Sequence, residues 1–261
     1  MPSFGRSLSR FGVDYLLVSG QASVLYQAAT FSEDVDLWVR ADAGNLQRLR
    51  KALAALRARV RSQLTPPLTL THARRGHGFH FLLPSVAGPV ELDVMGNPPR
   101  VAPFRECRAR AVPMSTAWGP MPVIAIEDLV EIKKTRRLRD YDVISNLVRV
   151  RLVAAGSPPS DDLLRWALAN GFDAEGLDEI LERNPRARRI AARMRRPAVR
   201  RLMGTHRRAE RIRRCRRALA QEITEFQERD VAFWRPVLAD LRRLRTLGRL
   251  LPKDSLVRTR A

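Results

Sequence analysis

The sequence predicts an α+β (α/β) fold, in which a mixed sheet with flanking helices is followed by a basic, all-helical C-terminal region. Two observations predict it. Within the first 120 residues, runs with the two-residue period of strands alternate with runs at helical spacing. From residue 121 onward, apolar residues recur at helical spacing. This order is typical of a domain built on a mixed sheet and extended by helices at its C-terminal end.

The first 120 residues are predicted to run strand, helix, strand, helix, strand, strand. The first strand is apolar and ends in a turn of small residues, and the second alternates apolar and polar side chains. The last two strands are short runs bounded by Gly and Pro. A loop-rich stretch is expected from there to Trp118. The predicted segments are, in order, residues 13–20, 21–29, 31–40, 43–60, 78–84 and 89–96.

Three features divide the remainder of the chain. Ile126, with Glu127 and Asp128 after it, predicts the start of a helix, because acidic residues favour the first turn. Residues 154–162 predict a linker, with a new helix starting near Ser160. Pro236 is expected to break or start a helix in the last helical region, because proline lacks a backbone N–H.

The charge of the chain is concentrated in one block. The whole sequence has a net charge of +21, and residues 183–217 contain sixteen basic residues and one acidic residue. Such a block suits a polyanion, and nucleic acid is the commonest one. The alternative is a solvated helical face with no partner. The favoured prediction is that residues 183–217 contact RNA.

The remaining composition argues against several classes of protein. Cys107 and Cys215 show no paired spacing, so neither a disulfide framework nor a zinc cluster is expected, and a reducing cytoplasm fits. No apolar run approaches the roughly 18 residues of a membrane span, and no secretory signal is visible. His72, His77 and His80 are interpreted as part of a basic loop or hairpin rather than as a metal site.

Three aspartates form the candidate site. Asp34 and Asp36 lie one residue apart in the second strand, so their side chains share one face, where two ionised carboxylates repel unless a cation or solvent separates them. Asp93 lies in a later strand, with Glu91 on the same face. If the two strands are neighbours, three carboxylates converge, and such a group binds Mg²⁺ well. The turn at Ser19 and Gly20 precedes a helix and could hold a phosphate.

The order of these motifs resembles a known superfamily. The turn Val18-Ser19-Gly20 is followed after thirteen residues by Asp34-Val35-Asp36 and later by Asp93. This arrangement is similar to that of the nucleotidyltransferase superfamily that includes DNA polymerase beta. More narrowly, "VSGQASVLYQAATFSEDVD" resembles the small bacterial branch that includes AbiEii-like toxins. Two departures are Ser19, where the first glycine of the turn is usual, and Thr30, where a basic residue is usual.

A second motif extends the resemblance to about residue 150. The segment "PVIAIEDLVEIKKTRRLRDYDVI" resembles a helix of the same branch through a set of matching residues, Pro122, Glu127, Asp128, Leu129, Lys133, Arg139 and Asp140. The resemblance implies that Lys133 contacts a nucleotide phosphate and that Asp140 or Asp142 orients basic groups nearby. The alternative is a purely structural role, in which Asp140 pairs with Arg136 or Arg137 on one helix face.

The resemblance implies a nucleotidyltransferase-like sheet and assigns roles to named residues. Asp34, Asp36 and Asp93 would be the catalytic residues and the ligands of Mg²⁺, with two ions expected. The nucleotide-binding residues would be Ser19, Gly20, Ser32 and Lys133. Residues 1–117 would be the nucleotidyltransferase core, residues 118–154 a helical extension that completes the site, and residues 155–261 an arginine-rich helical region.

Two functions remain open at this point. The favoured hypothesis is an Mg²⁺-dependent nucleotidyltransferase that moves a nucleotidyl group from an NTP to an acceptor hydroxyl, with RNA, tRNA in particular, as the acceptor. The resemblance adds a toxin-like role with an antitoxin protein as a partner. The alternative is a catalytically degenerate member of the same fold that binds RNA or the ribosome without chemistry.

Overall fold

The computed structural model describes residues 4–85, 88–156 and 158–259. Within this part of the chain, seven strands form one sheet. They are β1 (Tyr15–Val18), β2 (Asp34–Val39), β3 (Arg59–Val60), β4 (Gly78–Leu83), β5 (Val90–Met95), β6 (Val112–Thr116) and β7 (Gly119–Val123). The helices are α1 (Phe4–Arg10), α2 (Ser19–Leu25), α3 (Ala43–Ala55), α4 (Leu70–Arg74), α5 (Phe104–Ala109), α6 (Ile126–Lys133), α7 (Arg139–Ala154), α8 (Asp161–Asn170), α9 (Ala174–Arg183), α10 (Pro185–Arg193), α11 (Pro197–Leu202) and α12 (Arg208–Thr246).

The chain divides into two packing units. The first contains residues 4–25, 30–132 and 232–259, and therefore the whole sheet. The second contains residues 26–29 and 133–231, and it is helical. The predicted class, a mixed sheet with flanking helices followed by a helical C-terminal region, is confirmed. The finer boundaries at residues 117 and 154 stay predictions.

The strand order of the sheet is β3-β4-β5-β2-β1-β7-β6. Strand β2 lies at its centre, antiparallel to β1 and parallel to β5. The β1–β7 pair is also parallel, while β3–β4, β4–β5 and β6–β7 are antiparallel. The sheet is therefore mixed. Its parallel β2–β5 pair brings together two strands that are far apart in the sequence.

The burial pattern explains why these segments are strands. All four residues of β1 are buried, which agrees with its uninterrupted apolar sequence. In β4, Phe79, Phe81 and Leu83 are buried and alternate with half-buried residues. In β2, Val35 and Leu37 are buried while Asp34 and Asp36 are half-buried. The alternation therefore puts the two aspartates on the more open face of the sheet.

The stretch before Trp118 differs from the prediction. It was expected to be loop-rich, but α5 and β6 lie there, and β6 forms a hairpin with β7, which begins directly after Trp118. The hairpin was not predicted because its strands contain prolines, which are rare in strands. Pro113 lies in β6, and Pro120 and Pro122 lie in β7. Proline is tolerated where its missing N–H removes no ladder bond: β6 is an edge strand, and β7 pairs with β1 at Val123, beyond Pro120 and Pro122.

Pro236 also differs from the prediction. It was expected to break or start a helix, but it lies inside the continuous 39-residue helix α12. Buried side chains on both sides of the proline, such as Leu219 and Val237, fix the helix by tertiary packing. Packing therefore outweighs the local cost of one missing hydrogen bond.

The helical unit has its own apolar core. Ser160 caps α8, as predicted, because its hydroxyl accepts a hydrogen bond from the N–H of Leu163. Helices α8 to α11 and the start of α12 supply a cluster of buried side chains that includes Leu164, Leu168, Leu177, Leu181, Ile190, Val199 and Leu202. The arginine-rich stretch is thus folded around apolar residues. No described helix is long and apolar enough to cross a membrane.

A buried histidine in the first unit makes stability depend on pH. His77 is fully buried, and its Nε2 lies 3.0 Å from Oδ2 of Asp240. Burial lowers the pKa of His77 below its usual value of about 6.5, because a charged imidazolium loses hydration. Below that value the unfolded chain binds a proton that the folded chain does not, so acidification favours unfolding.

We expect the free energy of unfolding to fall as the pH drops below about 6.5, by at most about 1.4 kcal/mol per pH unit. His77→Gln should flatten this dependence, because glutamine has no proton to gain. Urea unfolding at a series of pH values measures the slope. Equal slopes for the variant and the unchanged chain would show that His77 is not the responsible group.

Candidate active site

The register of the sheet brings the three predicted aspartates together. In the parallel β2–β5 pair, Asp36 lies opposite Asp93, and Asp34 lies opposite Glu91. Side chains two residues apart share a face, so Asp34, Asp36 and Asp93 lie on the same side of the sheet. One oxygen from each of these carboxylates lies within 4.8 Å of the others. The condition set by the sequence, that the two strands be neighbours, is met.

Ser32 links the first aspartate to the turn after β1. Its hydroxyl donates to the backbone carbonyl of Asp34 at 3.2 Å and lies 3.4 Å from Oδ1 of the same residue. Gly20 lies directly against Ser32, because a Cβ on this glycine would be 2.1 Å from the Ser32 hydroxyl oxygen. Gln21 also donates to the Ser32 carbonyl at 3.0 Å. The predicted residues Gly20 and Ser32 therefore pack beside Asp34.

The contact between Gly20 and Ser32 gives a testable prediction. Gly20→Ala should destabilise the protein by about 1–3 kcal/mol, because the new methyl group overlaps the Ser32 side chain. Adding Ser32→Gly should recover much of this loss by removing the overlapping atoms. Gly44→Ala is the control: its Cβ would meet no atom closer than 3.4 Å, and alanine favours helix α3. Urea unfolding of the three variants and the unchanged chain measures the effect, and a neutral Gly20→Ala would contradict the close packing.

Ser19 occupies the strained position of the turn. Its φ is 57°, in the left-handed region where glycine is favoured. This is the position at which the nucleotidyltransferase motif usually has glycine. Ser19 therefore adopts a backbone conformation that glycine reaches without strain, and its carbonyl accepts a hydrogen bond from the hydroxyl of Ser23 at 2.8 Å.

Sequence reasoning missed two side chains that bind the cluster. Arg61 donates through Nη2 to Oδ1 of Asp93 and through Nη1 to Oε2 of Glu91, each at 2.5 Å. Nδ1 of His80 lies 2.9 Å from the same Oδ1 of Asp93. His80 belongs to β4 and lies opposite Asp93 in the antiparallel β4–β5 pair. The hairpin predicted around the histidines could therefore have indicated that His80 lies near Asp93. No local sequence pattern indicates the position of Arg61.

The surroundings of Asp93 decide its protonation. Burial raises the pKa of this carboxyl, but the hydrogen bonds from His80 and Arg61 and the positive charge of Arg61 outweigh it and hold the pKa below its usual value. Asp93 is therefore ionised at neutral pH, and it is a weak base. These properties suit a ligand of a cation better than a proton acceptor.

The donor set fits Mg²⁺. Carboxylate oxygens are the ligands that this ion prefers, and Asp34, Asp36 and Asp93 offer them from two rigid strands. Both contacts from Arg61 and His80 fall on Oδ1 of Asp93, and this leaves Oδ2 as the atom suited to ligation. Such outer contacts orient the carboxylates that hold a metal.

Lys133 lies in the second packing unit, at the end of α6. Its side chain is 8% exposed, and Nζ donates to Oδ1 of Asp140 at 3.1 Å. Asp140 also accepts from the Thr135 hydroxyl at 2.5 Å and lies 3.7 Å from Nε of Arg137. The pair of Asp140 with Arg137, which the sequence offered as an alternative, is present, and the pair with Lys133 was not predicted. The role of Lys133 toward a nucleotide stays a prediction.

The other two histidines of the sequence do not join the carboxylates. The rings of His72 and His77 stack edge to face with centroids 5.2 Å apart, and the ring nitrogens contact Pro67 and Asp240. Within the described residues, the three aspartates are the group of potential metal ligands that the structure brings together. No protein-family profile and no curated protein matches the sequence. The candidate function therefore rests on the geometry and on the motif resemblance.

Proposed function

We propose that the protein is an Mg²⁺-dependent nucleotidyltransferase that moves a nucleotidyl group from an NTP to an acceptor hydroxyl, with RNA as the acceptor. The observation that carries this proposal is the convergence of Asp34, Asp36 and Asp93 on one face of two parallel strands. Three carboxylates at that distance repel one another, and the single guanidinium of Arg61 offsets only part of their charge. A fold that keeps them together is suited to binding a cation.

The chemistry follows from the donor set. Asp34, Asp36 and Asp93 would hold Mg²⁺, and the bound ion would supply positive charge to the phosphate oxygens. The acceptor oxygen forms a bond to the α-phosphorus while the bond to the pyrophosphate oxygen breaks, and the hydroxyl proton passes to solvent. Asp34 and Asp36 act as ligands from β2. Asp93 acts as the third ligand, oriented by Arg61 and His80, because its lowered pKa makes it a poor base.

Nucleotide transfer tests the proposal directly. Purified protein is incubated with Mg²⁺, each α-labelled NTP in turn and total cellular RNA, in parallel with Asp36→Ala. We expect label on RNA with the unchanged chain and none with the variant. Label on the protein instead would identify a protein acceptor. No label with any NTP, while RNA binding is retained by both forms, would reject the transferase.

Arg61 favours a second candidate, a degenerate member of the same fold that binds RNA without chemistry. Its guanidinium is bonded to both Asp93 and Glu91 and is close enough to Asp34 for an electrostatic effect. A fixed cation of this kind partly neutralises the carboxylates. In that case it replaces Mg²⁺, and the cluster serves stability alone.

Arg61→Gln separates the two candidates. If Arg61 orients ligands for a metal, the variant should lose stability in EDTA and recover part of it with Mg²⁺, while transfer activity falls about 10–100-fold. If Arg61 replaces the metal, the unchanged chain should show no thermal shift with Mg²⁺ or Mn²⁺. Thermal unfolding with and without each ion provides the readout.

A further inference from the structure

Five exposed arginines in and between helices α10 and α11 lack side-chain partners. They are Arg189 and Arg193 in α10, Arg195 after it, and Arg200 and Arg201 in α11, and we call them the arginine surface. None of their guanidinium groups has a hydrogen-bond or ion-pair partner among the described residues. The sequence contains no acidic residue between Glu182 and Glu210. The positive charge of this surface is therefore not offset locally.

The packing of α10 and α11 explains why these arginines face solvent. Helix α10 buries Ala187, Ile190 and Ala191, and α11 buries Ala198, Val199 and Leu202. The two short helices pack against each other and against α9. Because both helices turn their apolar faces into the same core, their arginines lie on the solvent-exposed faces.

Other arginines of the same block have structural roles. Of the sixteen basic residues at 183–217, at least eight form ion pairs with carboxylates of the helical unit. These are Arg183, Arg186, Arg196, Arg208, Arg211, Arg213, Arg214 and Arg216. The block therefore contains two populations, one that stabilises the unit and one that carries charge without a partner.

The chemistry of the surface selects one kind of polyanion. Arginine binds phosphate through paired N–H donors, and adjacent unpaired guanidinium groups repel one another unless an anion lies between them. Proteins that bind single-stranded nucleic acid also use aromatic side chains on which the bases stack. Residues 183–217 contain no Phe, Trp or Tyr. The surface is thus equipped for phosphates along a backbone and not for unpaired bases.

We propose that the arginine surface binds the phosphate backbone of a base-paired RNA stem. The choice of RNA rests on the proposed function, in which RNA is the acceptor. The arginine surface would bind the helical stem of the acceptor RNA without recognising its base sequence. A protein whose charge contacts backbone phosphates tolerates any stem sequence and loses affinity steeply with salt.

Binding is measured by fluorescence anisotropy with labelled RNA hairpins of two unrelated stem sequences, in EDTA and without NTP, over a range of salt concentrations. The test variant is Arg189→Gln with Arg193→Gln and Arg200→Gln. The control is Arg183→Gln with Arg213→Gln and Arg216→Gln, which removes the same charge from exposed arginines that have carboxylate partners. Thermal unfolding verifies that both variants fold.

We expect the test variant to bind both hairpins about tenfold more weakly or worse, and to lower the slope of log K against log salt by about three. The control should lower that slope by less than about one. Equal losses in the two variants would overturn the proposal, because net charge alone would then explain binding. Equal affinity for unpaired RNA of the same length, or for a DNA duplex, would overturn it as well.

The test also separates this inference from the proposed function. Binding in EDTA requires no metal and no transfer, so Asp36→Ala should bind hairpins as the unchanged chain does. Hairpin binding without nucleotide transfer would reject the transferase and keep the arginine surface. Transfer to RNA that is unaffected by the three test substitutions would reject the surface and keep the transferase.

Discussion

Replacing Asp36 with asparagine is expected to abolish nucleotide transfer and to weaken Mg²⁺ and Mn²⁺ binding at least about a hundredfold. Asp36 is the central member of the cluster, opposite Asp93 in the register and on the same face as Asp34. The amide keeps the shape of the side chain but supplies no charge. The same change should leave the metal-free protein folded and about as stable as before, because asparagine keeps the size of the side chain and can still accept a hydrogen bond.

The combination of the two effects is what tests the site. Thermal unfolding in EDTA and in Mn²⁺ measures both, since a bound ion raises the melting temperature of the folded state that binds it. Glu33→Gln is the matched control: it removes one negative charge from an exposed position beside Asp34 and should keep the full Mn²⁺ shift. A shift that survives Asp36→Asn and disappears with Glu33→Gln would place the ion elsewhere.

Asp140→Ala should have the largest effect on stability, about 3–5 kcal/mol in the free energy of unfolding. Both members of the Lys133–Asp140 pair are buried, so removing the carboxylate leaves an ammonium group without a counter-charge and away from water. The Thr135 hydroxyl loses its acceptor as well. Asp142→Ala on the same helix is the control and should cost about 1 kcal/mol or less, because Asp142 is exposed.

A second substitution isolates the buried charge as the cause. Lys133→Met in the Asp140→Ala background should recover part of the lost stability, because it removes the uncompensated ammonium. Urea unfolding of the single and double variants gives the coupling energy. Additive losses in the double variant would mean that the two side chains do not depend on each other. Transfer activity of Lys133→Met tests the predicted nucleotide contact separately.

Short-range patterns in the sequence predict much of the local structure. The alternation in residues 31–40 identifies β2 and assigns its aspartates to one face, because strand periodicity is a local property. Ser160 as a helix cap and Ile126 as a helix start are equally local signals. The sequence did not predict the edge hairpin of β6 and β7 or the continuity of α12 through Pro236. Prolines locally disfavour strands and helix interiors, and tertiary packing outweighed that preference.

The sequence by itself determined the class of the fold, the shared face of Asp34 and Asp36, and the concentration of positive charge at residues 183–217. The tertiary structure alone decided that β2 and β5 are parallel neighbours, that Arg61 and His80 bind Asp93, and which arginines lack partners. The physical reason is distance along the chain. Periodicity and capping act over a few residues, whereas Arg61 meets Asp93 across 32 positions through strand pairing.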